Sequence, residues 1–271
     1  MRWIRSVNRT RTIVAGRRSH TRVVTRIVSP GRPAPPFRPP VAFAHRGASA
    51  YAPGNTLEAF RLARLQGATG LESDAWLAAD GVVVLVHDRT IRSSARRIDV
   101  TRAASTELAE QGVPTLAALY AELAADGGGE MALSLDIEHP AVAVPAIEAA
   151  ERAGEVSRLW ACHDDLGLLS TLRARSADVR LVCSTRPRRV EGDVPALIAR
   201  LAALGLDALN MHWRDWSANL VERCHGVGVA AFGWDAQERV AMDHLLDLGI
   251  DALYADAPDR LVAAVTEHAA D

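Results

Sequence analysis

Strand-like and helix-like segments alternate along most of this chain, and the alternation limits the folds that it can adopt. Short apolar runs with the character of buried strands are separated by amphipathic segments of helical length. The predicted strands are residues 131–138, 159–163, 179–184, 208–212, 229–234 and 252–256, and the predicted helices are residues 141–153, 166–175, 194–204, 217–225, 237–248 and 258–267. Strands that alternate with helices of this length indicate a parallel sheet with right-handed crossovers.

The first part of the chain supplies three more predicted strands. Residues 41–44 form a short apolar run, and residues 72–79 and 82–87 flank an Asp-Gly pair, which predicts a hairpin. If the second arm of that hairpin is set aside, eight of the nine strands remain. This number predicts an α/β fold of the (β/α)8 TIM-barrel type with a β-hairpin excursion after strand 2. A doubly wound open sheet is the alternative, but no GxGxxG or Walker sequence follows any strand.

The hairpin also brings together side chains that carry chemistry. Glu72, Asp74 and Trp76 are two residues apart, so they face one side of an extended strand. A two-residue loop at the Asp-Gly pair then predicts that Asp74 lies opposite His87. Two carboxylates and an imidazole thus converge, and they offer oxygen ligands for a divalent cation beside a group that moves protons near neutral pH.

Residues 1–40 differ from the rest of the chain in charge and in proline content. They hold ten of the 31 basic residues and no Asp or Glu, and residues 30–40 contain six prolines. Proline fixes φ and removes amide donors, so neither a helix nor a sheet interior forms there. We predict a disordered basic tail over residues 1–40 and a barrel domain over residues 41–271. An organellar transit peptide and an upstream start-site artefact are alternatives for the tail.

Composition excludes several partners. Beyond residue 40 the chain has 21 basic residues against 33 acidic ones, which is not the charge of a nucleic-acid-binding fold. No run reaches the ~18 apolar residues that span a bilayer, and no amino-terminal run reaches the roughly 7–15 of a secretory signal. Cys162, Cys183 and Cys224 are widely spaced, as expected of small buried residues in a reducing compartment. We therefore predict a cytoplasmic protein with a small-molecule substrate and leave its oligomeric state open.

In a barrel of this type the reacting groups lie at the carboxyl ends of the strands. The polar residues at or near those ends in the first three strands and the hairpin are His45, Arg46, Glu72, Asp74, His87, Asp136 and Glu138. Carboxylates suit Ca²⁺ or Mg²⁺, a guanidinium suits phosphate, and two histidines that flank a phosphorus suit general acid and base. Residues 88–112 are polar and rich in arginine, which predicts a loop over this site.

The motifs AHRGASAYAPGNT, LESDAWLAADGVVVLVHD, VPTLAAL, LSLDIE and GIDALYADAPDRL resemble the glycerophosphodiester phosphodiesterase family, a TIM-barrel group related to phosphatidylinositol-specific phospholipase C. The resemblance covers roughly residues 41–265. It implies hydrolysis of a glycerophosphodiester to glycerol 3-phosphate and an alcohol, after attack by the neighbouring substrate hydroxyl. It further implies an acid/base pair of His45 and His87, phosphate binding by Arg46, and a divalent cation, Ca²⁺ or Mg²⁺, held by Glu72, Asp74 and Glu138.

The chain also departs from the family pattern. Gly54 replaces a carboxylate of the usual Pro-Glu-Asn-Thr, and the Lys expected two residues after the third-strand Glu is Pro140, in a chain that has no Lys at all. His163 stands where Ser-Phe is usual, and Trp234 begins Trp-Asp-Ala-Gln instead of Trp-Thr-Val-Asn. We predict that His163 and Trp234 contact the substrate and its phosphate. A barrel that binds a phosphorylated ligand without turnover, and a phospholipase D-like lipid phosphodiesterase, are the alternatives.

Overall fold

The computed structural model of the chain describes residues 37–93, 96–125, 131–190 and 193–270, all of which belong to one compact unit. The strands are β1 (Val41–Ala44), β2 (Gly70–Leu77), β3 (Val83–Leu85), β4 (Thr90–Arg92), β5 (Arg97–Asp99), β6 (Ala132–Ile137), β7 (Leu159–His163), β8 (Arg180–Ser184), β9 (Ala208–His212), β10 (Ala230–Trp234) and β11 (Ala252–Ala255). The α-helices are α1 (Leu57–Leu65), α2 (Ser105–Ala109), α3 (Leu116–Ala125), α4 (Pro140–Ala153), α5 (Leu166–Arg175), α6 (Val194–Leu204), α7 (Ala218–Gly226), α8 (Arg239–Asp247) and α9 (Pro258–Ala270).

Eight parallel strands close into a barrel. Around the barrel their order is β1, β2, β6, β7, β8, β9, β10 and β11, and β11 pairs with β1 again. A helix follows each of these strands, as the alternation in the sequence indicates. The predicted (β/α)8 TIM barrel with a hairpin arm after the second strand is confirmed.

Strand alternation divides the core into an inner and an outer part. On β1, Phe43 belongs to the cluster inside the barrel, whereas Ala42 and Ala44 belong to the cluster between the strands and the helices. The same alternation on β10 turns Ala230 and Phe232 inward. We call the end of the barrel at the carboxyl ends of the strands the mouth. A strand residue near the mouth faces the centre of the barrel only if it continues an inward-facing row.

The hairpin has a different register from the one predicted. β2 and β3 are antiparallel with Ala75 opposite Leu85, and the amide of Val86 donates to the carbonyl of Asp74. The turn is a three-residue loop in which Gly81 has φ +80°, the geometry of a type I turn closed by a left-handed glycine. Asp74 therefore pairs with Val86, and His87 lies one residue past that pair.

Helix α1 is capped by Thr56, whose hydroxyl accepts from the amide of Ala59. One other local prediction is corrected. The segment predicted as a loop over residues 88–112 contains the β4–β5 hairpin and helix α2, and Asp80 of the turn accepts hydrogen bonds from Ser105. Despite its polar composition, this segment therefore forms regular secondary structure, which packs on the hairpin arm.

Contacts with the barrel begin before residue 41. The amide of Phe37 donates to Oδ1 of Asp251 at 2.9 Å, and the Phe37 ring makes an edge contact with Trp160 inside the barrel. The contacts with the barrel thus extend to Phe37, four residues before the boundary that the sequence predicts. The rest of the predicted tail, residues 1–36, lies outside the described residues. In the described part of the chain, no helix is long and apolar enough to cross a membrane.

Candidate active site

Three carboxylates converge at the mouth on neighbouring strands. Glu72 and Asp74 lie on the inward-facing row of β2, and Asp136 is the register partner of Asp74 on β6. One carboxylate oxygen from each lies within 4.8 Å of the others. Glu72 and Asp74 are buried, with 4% and 3% of their surface exposed. This arrangement concentrates negative charge in a place where little water is available to stabilise it.

The loop after β1 holds this cluster in place. The amide of Arg46 donates to Oε2 of Glu72 at 2.8 Å, and Nε of Arg46 lies 3.1 Å from Oδ2 of Asp74. Nδ2 of Asn55 donates to the same Asp74 oxygen at 2.8 Å, while its own Oδ1 accepts from the hydroxyl of Ser73. Arg46 and Asn55 have φ of 54° and 59°, a left-handed conformation that is uncommon outside glycine and concentrated at functional sites.

Burial dominates the electrostatics of the cluster. It raises the pKa of Glu72 well above the usual range, against the opposing effect of the neighbouring His45. Burial, with help from the charges of Asp74 and Glu138, raises the pKa of Asp136 to about 7. Carboxylates pushed toward their neutral forms in this way are stabilised when a cation joins them. Three hard oxygen donors of this kind fit a divalent cation such as Ca²⁺ or Mg²⁺.

His45 continues the inward-facing row of β1 and lies beside the cluster. Its Nδ1 is 2.5 Å from Oδ1 of Asp256, and its Nε2 is 3.8 Å from Oε2 of Glu72. Because a carboxylate only accepts, His45 donates from Nδ1 and keeps Nε2 toward the cluster. Burial lowers the pKa of His45, but Glu72 and the bond to Asp256 outweigh it and raise this pKa to about 9. The same hydrogen bond lowers the pKa of Asp256.

His87 and Glu138 lie at the rim of the mouth. Glu138 follows the last residue of β6 and is exposed, and it is not part of the three-carboxylate cluster of the described residues. Partial burial of its carboxylate and the charge of Asp74 raise the pKa of Glu138, whereas His87 and Arg46 lower it, so these groups lie near one another. Nε1 of Trp76 donates to the carbonyl of His87 at 3.0 Å and fixes its backbone. Asp136, and not Glu138, therefore belongs to this cluster, and Glu138 as a metal ligand stays a prediction.

His163 ends β7 on the outward-facing row that contains Ala161, and its Nδ1 accepts from the amide of Asp165 at the start of α5. Its contact with phosphate stays a prediction. Trp234, by contrast, continues the inward-facing row of β10 and packs on the cluster inside the barrel. His212 contacts its ring edge-on, with centroids 4.8 Å apart.

Four residues of the mouth were not assigned from the sequence. Asp136 was recognised at a strand end, but the stagger between β2 and β6 decides that it, and not Glu138, is level with Asp74. Asn55 and Asp256 act on the site through Asp74 and His45, and Arg186 lies over the Trp234 ring. A signal for Asp256 was present, because it is the last residue of the predicted strand 252–256 and continues its inward-facing row.

Known proteins match this chain over most of the barrel. The model of the Glycerophosphoryl diester phosphodiesterase family matches residues 45–260. A curated glycerophosphodiester phosphodiesterase of Caldanaerobacter subterraneus subsp. tengcongensis is 24% identical over 256 residues, which are 83% of this chain and 97% of the relative.

Solved structures agree in fold. A glycerophosphodiester phosphodiesterase from Thermotoga maritima has a TM-score of 0.72 and 21% identity, over 82% of this chain and 97% of the other. A phosphodiesterase from Oleispira antarctica, solved in complex with the product sn-glycerol-3-phosphate, has a TM-score of 0.71 and 21% identity, over 84% and 97%. With the family match across the mouth and nearly the whole barrel, the chain belongs to the glycerophosphoryl diester phosphodiesterase family and is an enzyme of that class.

Proposed function

We propose that this chain hydrolyses glycerophosphodiesters to glycerol 3-phosphate and an alcohol, with a divalent cation and two histidines. The observation that carries the proposal is the convergence of Glu72, Asp74 and Asp136 within 4.8 Å beside His45, at the mouth of a barrel of this family. The product named for the Oleispira antarctica relative supports the choice of glycerol 3-phosphate.

The cation would be held by Glu72, Asp74 and Asp136. The buried carboxylates and their raised pKa values support this ligand set, and their oxygen donors support Ca²⁺ or Mg²⁺. When bound, the cation neutralises charge that develops on the phosphoryl oxygens. Glu138, which the sequence assigned to the metal, lies at the rim, where it is close to His87 and Arg46.

The two histidines would move the protons. One imidazole removes the proton from the glycerol hydroxyl next to the phosphate, and the hydroxyl oxygen forms a bond to phosphorus. The other imidazole gives a proton to the alkoxide that leaves as the bond to the headgroup breaks, and water then opens the cyclic phosphate. Asp256 supports this role for His45, because it fixes the ring with Nε2 toward the cluster.

Arg46 would bind the phosphate. Its Nε lies 3.1 Å from Oδ2 of Asp74 but is a buried donor without a hydrogen-bond partner among the described residues. The side chain is 30% exposed, so a phosphate oxygen can reach the guanidinium. A planar donor fork suits a tetrahedral oxyanion better than a point charge does.

The test is hydrolysis of glycerophosphodiesters by the full chain, with Ca²⁺, Mg²⁺ or Mn²⁺ added against a chelator. We expect release of glycerol 3-phosphate that the chelator abolishes. Glu72→Gln should lose this activity, whereas Glu222→Gln, which removes an exposed carboxylate from α7, should keep it. No release with any cation from a protein that circular dichroism shows to be folded would refute the proposal and favour a ligand-binding barrel.

We also propose a cytoplasmic location. The three cysteines are free and buried, which supports a compartment in which thiols stay reduced. Fractionation of cells that express the chain from its own start codon tests this location, and recovery in the membrane or secreted fraction would contradict it.

A further inference from the structure

The wall of the mouth opposite the carboxylates is built from three strands. In the order of strands around the barrel, β9 is four places from β2 and β10 is four places from β6, so these pairs lie directly across the barrel from each other. His212 ends β9 and Trp234 ends β10, and the two are register partners. One arm of a diester whose phosphate lies at the carboxylates can therefore reach across the mouth to His212 and Trp234. We call Arg186, Asn210, His212 and Trp234 the far wall.

Arg186 brings a positive charge to this wall, and no carboxylate of the described residues pairs with it. It follows Val182 and Ser184 on the inward-facing row of β8, and the ladder bond from the amide of Thr185 to the carbonyl of Asn210 keeps the chain extended up to it. Its guanidinium carbon lies 4.5 Å from the centre of the Trp234 ring. The Arg186 side chain is partly buried, and its guanidinium contacts Trp234 among the described residues.

Asn210 adds an unpaired acceptor one step deeper in the barrel. The residue is 5% exposed and lies on the inward-facing row of β9, level with Ser184 of β8. Its Nδ2 donates to the hydroxyl of Ser184 at 3.3 Å, but its Oδ1 has no hydrogen-bond partner among the residues that the structure describes. A buried oxygen without a donor is costly, so this position favours a ligand that brings an N–H or O–H group.

His212 does not compete for that ligand. Its Nε2 lies 3.1 Å from Oδ2 of Asp235, and its Nδ1 accepts from the amide of Arg214. Both ring nitrogens are therefore used, and the ring serves to hold Trp234 edge-on. This leaves Arg186 as a cation and Asn210 as an acceptor on the same wall.

We propose that the far wall selects the headgroup of the diester, and that it prefers a headgroup with an oxyanion next to a hydrogen-bond donor, such as a serine headgroup. This inference rests on the proposed function. The carboxylate would pair with Arg186, and the ammonium group beside it would donate to Asn210. A quaternary ammonium headgroup is disfavoured, because it binds over an aromatic face and Arg186 already covers a face of Trp234.

The test compares two substrates that differ by one carboxylate, glycerophosphoserine and glycerophosphoethanolamine. We expect kcat/KM of the full wild-type chain to be about tenfold higher for the serine diester, since a charge-assisted hydrogen bond contributes that much. Arg186→Gln should remove this preference by lowering kcat/KM for the serine diester alone. Asn210→Ala should lower kcat/KM for both substrates, because both carry the ammonium group.

Arg188→Gln is the matched control, because it removes the same charge from an exposed position two residues away. It should leave the preference unchanged. Hydrolysis of both diesters at equal kcat/KM, unaffected by Arg186→Gln, would overturn the headgroup inference and leave the proposed function standing. Failure to hydrolyse any diester with any cation would overturn both.

Discussion

Asp74 and Asp136 are paired positions on two neighbouring parallel strands, so their carboxylates lie side by side at the mouth of the barrel. Like charges at this separation destabilise each other, and burial adds to the cost. A divalent cation between them would relieve this repulsion. The register of β2 and β6 thus decides which carboxylates form the cluster that we propose as the metal site, and it places Asp136, and not Glu138, level with Asp74.

The first prediction concerns the third ligand. Asp136→Asn should weaken the binding of Mg²⁺ or Ca²⁺ by at least about 10–100-fold, since the loss of even an indirect partner of a ligand costs that much. Glu138→Gln should change the metal affinity by less than about tenfold, because that carboxylate lies at the rim. Isothermal titration calorimetry of both variants measures the two affinities. The reverse order would restore Glu138 as a ligand.

The second prediction concerns the histidines. His45→Ala and His87→Ala should each lower kcat by about 10²–10⁴-fold, the usual contribution of a general acid or base. Metal affinity should stay nearly unchanged in both, because neither imidazole belongs to the carboxylate cluster. His268→Ala serves as the control, because it removes an imidazole from the last turn of helix α9, outside the candidate site. Wild-type turnover in either variant would refute the two-histidine mechanism.

The third prediction concerns the thiols. Burial raises the pKa of Cys183 and of Cys224 to about 12, and it raises the pKa of Cys162 as well. At pH 8 the reactive thiolate of the first two should be about 10³-fold rarer than in an ordinary exposed cysteine. Iodoacetamide should therefore label the three cysteines only after denaturation, which mass spectrometry detects. Rapid labelling of the native protein would show that these thiols are not buried.

The fourth prediction concerns the amino-terminal boundary. A chain that starts at Phe37 should be more stable than one that starts at Val41 by about 1–3 kcal/mol, because Phe37 contributes a hydrogen bond to Asp251 and a ring contact with Trp160. Denaturant unfolding of the two chains gives the difference in free energy. Phe37→Ala in the longer chain should lose most of that difference. Equal stability of the two chains would mean that residues 37–40 do not support the barrel.

The strand and helix pattern could be predicted from the sequence because each element carries its own periodicity. Predicted strands 159–163 and 208–212, and predicted helices 166–175 and 194–204, agree with the structure residue for residue. Inward-facing rows follow from the same alternation. These rows predict that Glu72, His45 and Trp234 lie at the mouth, as they do in the structure.

Strand registers and turn types could not be predicted from the sequence, because they depend on contacts between distant segments. An Asp-Gly pair is compatible with both a two-residue and a three-residue hairpin loop. In the structure the loop has three residues, Gly81 is left-handed, and Asp80 accepts hydrogen bonds from Ser105. The stagger of β2 against β6 is set by barrel closure, so Asp136 and Glu138 were equivalent in the sequence. Asn55 is a residue type that often caps helices, but its side chain makes hydrogen bonds with Asp74 and Ser73 in the site instead.

The measurement that tests the central claim most directly is a metal titration of the chelator-treated chain, in which glycerol 3-phosphate release and metal binding are followed together. The account predicts that activity is absent without metal and returns with Mg²⁺ or Ca²⁺ at the concentration that half-fills the site. It also predicts that Asp136→Asn shifts both curves to higher concentration together. Full hydrolysis in the presence of excess chelator, or a binding curve unrelated to activity, would contradict it.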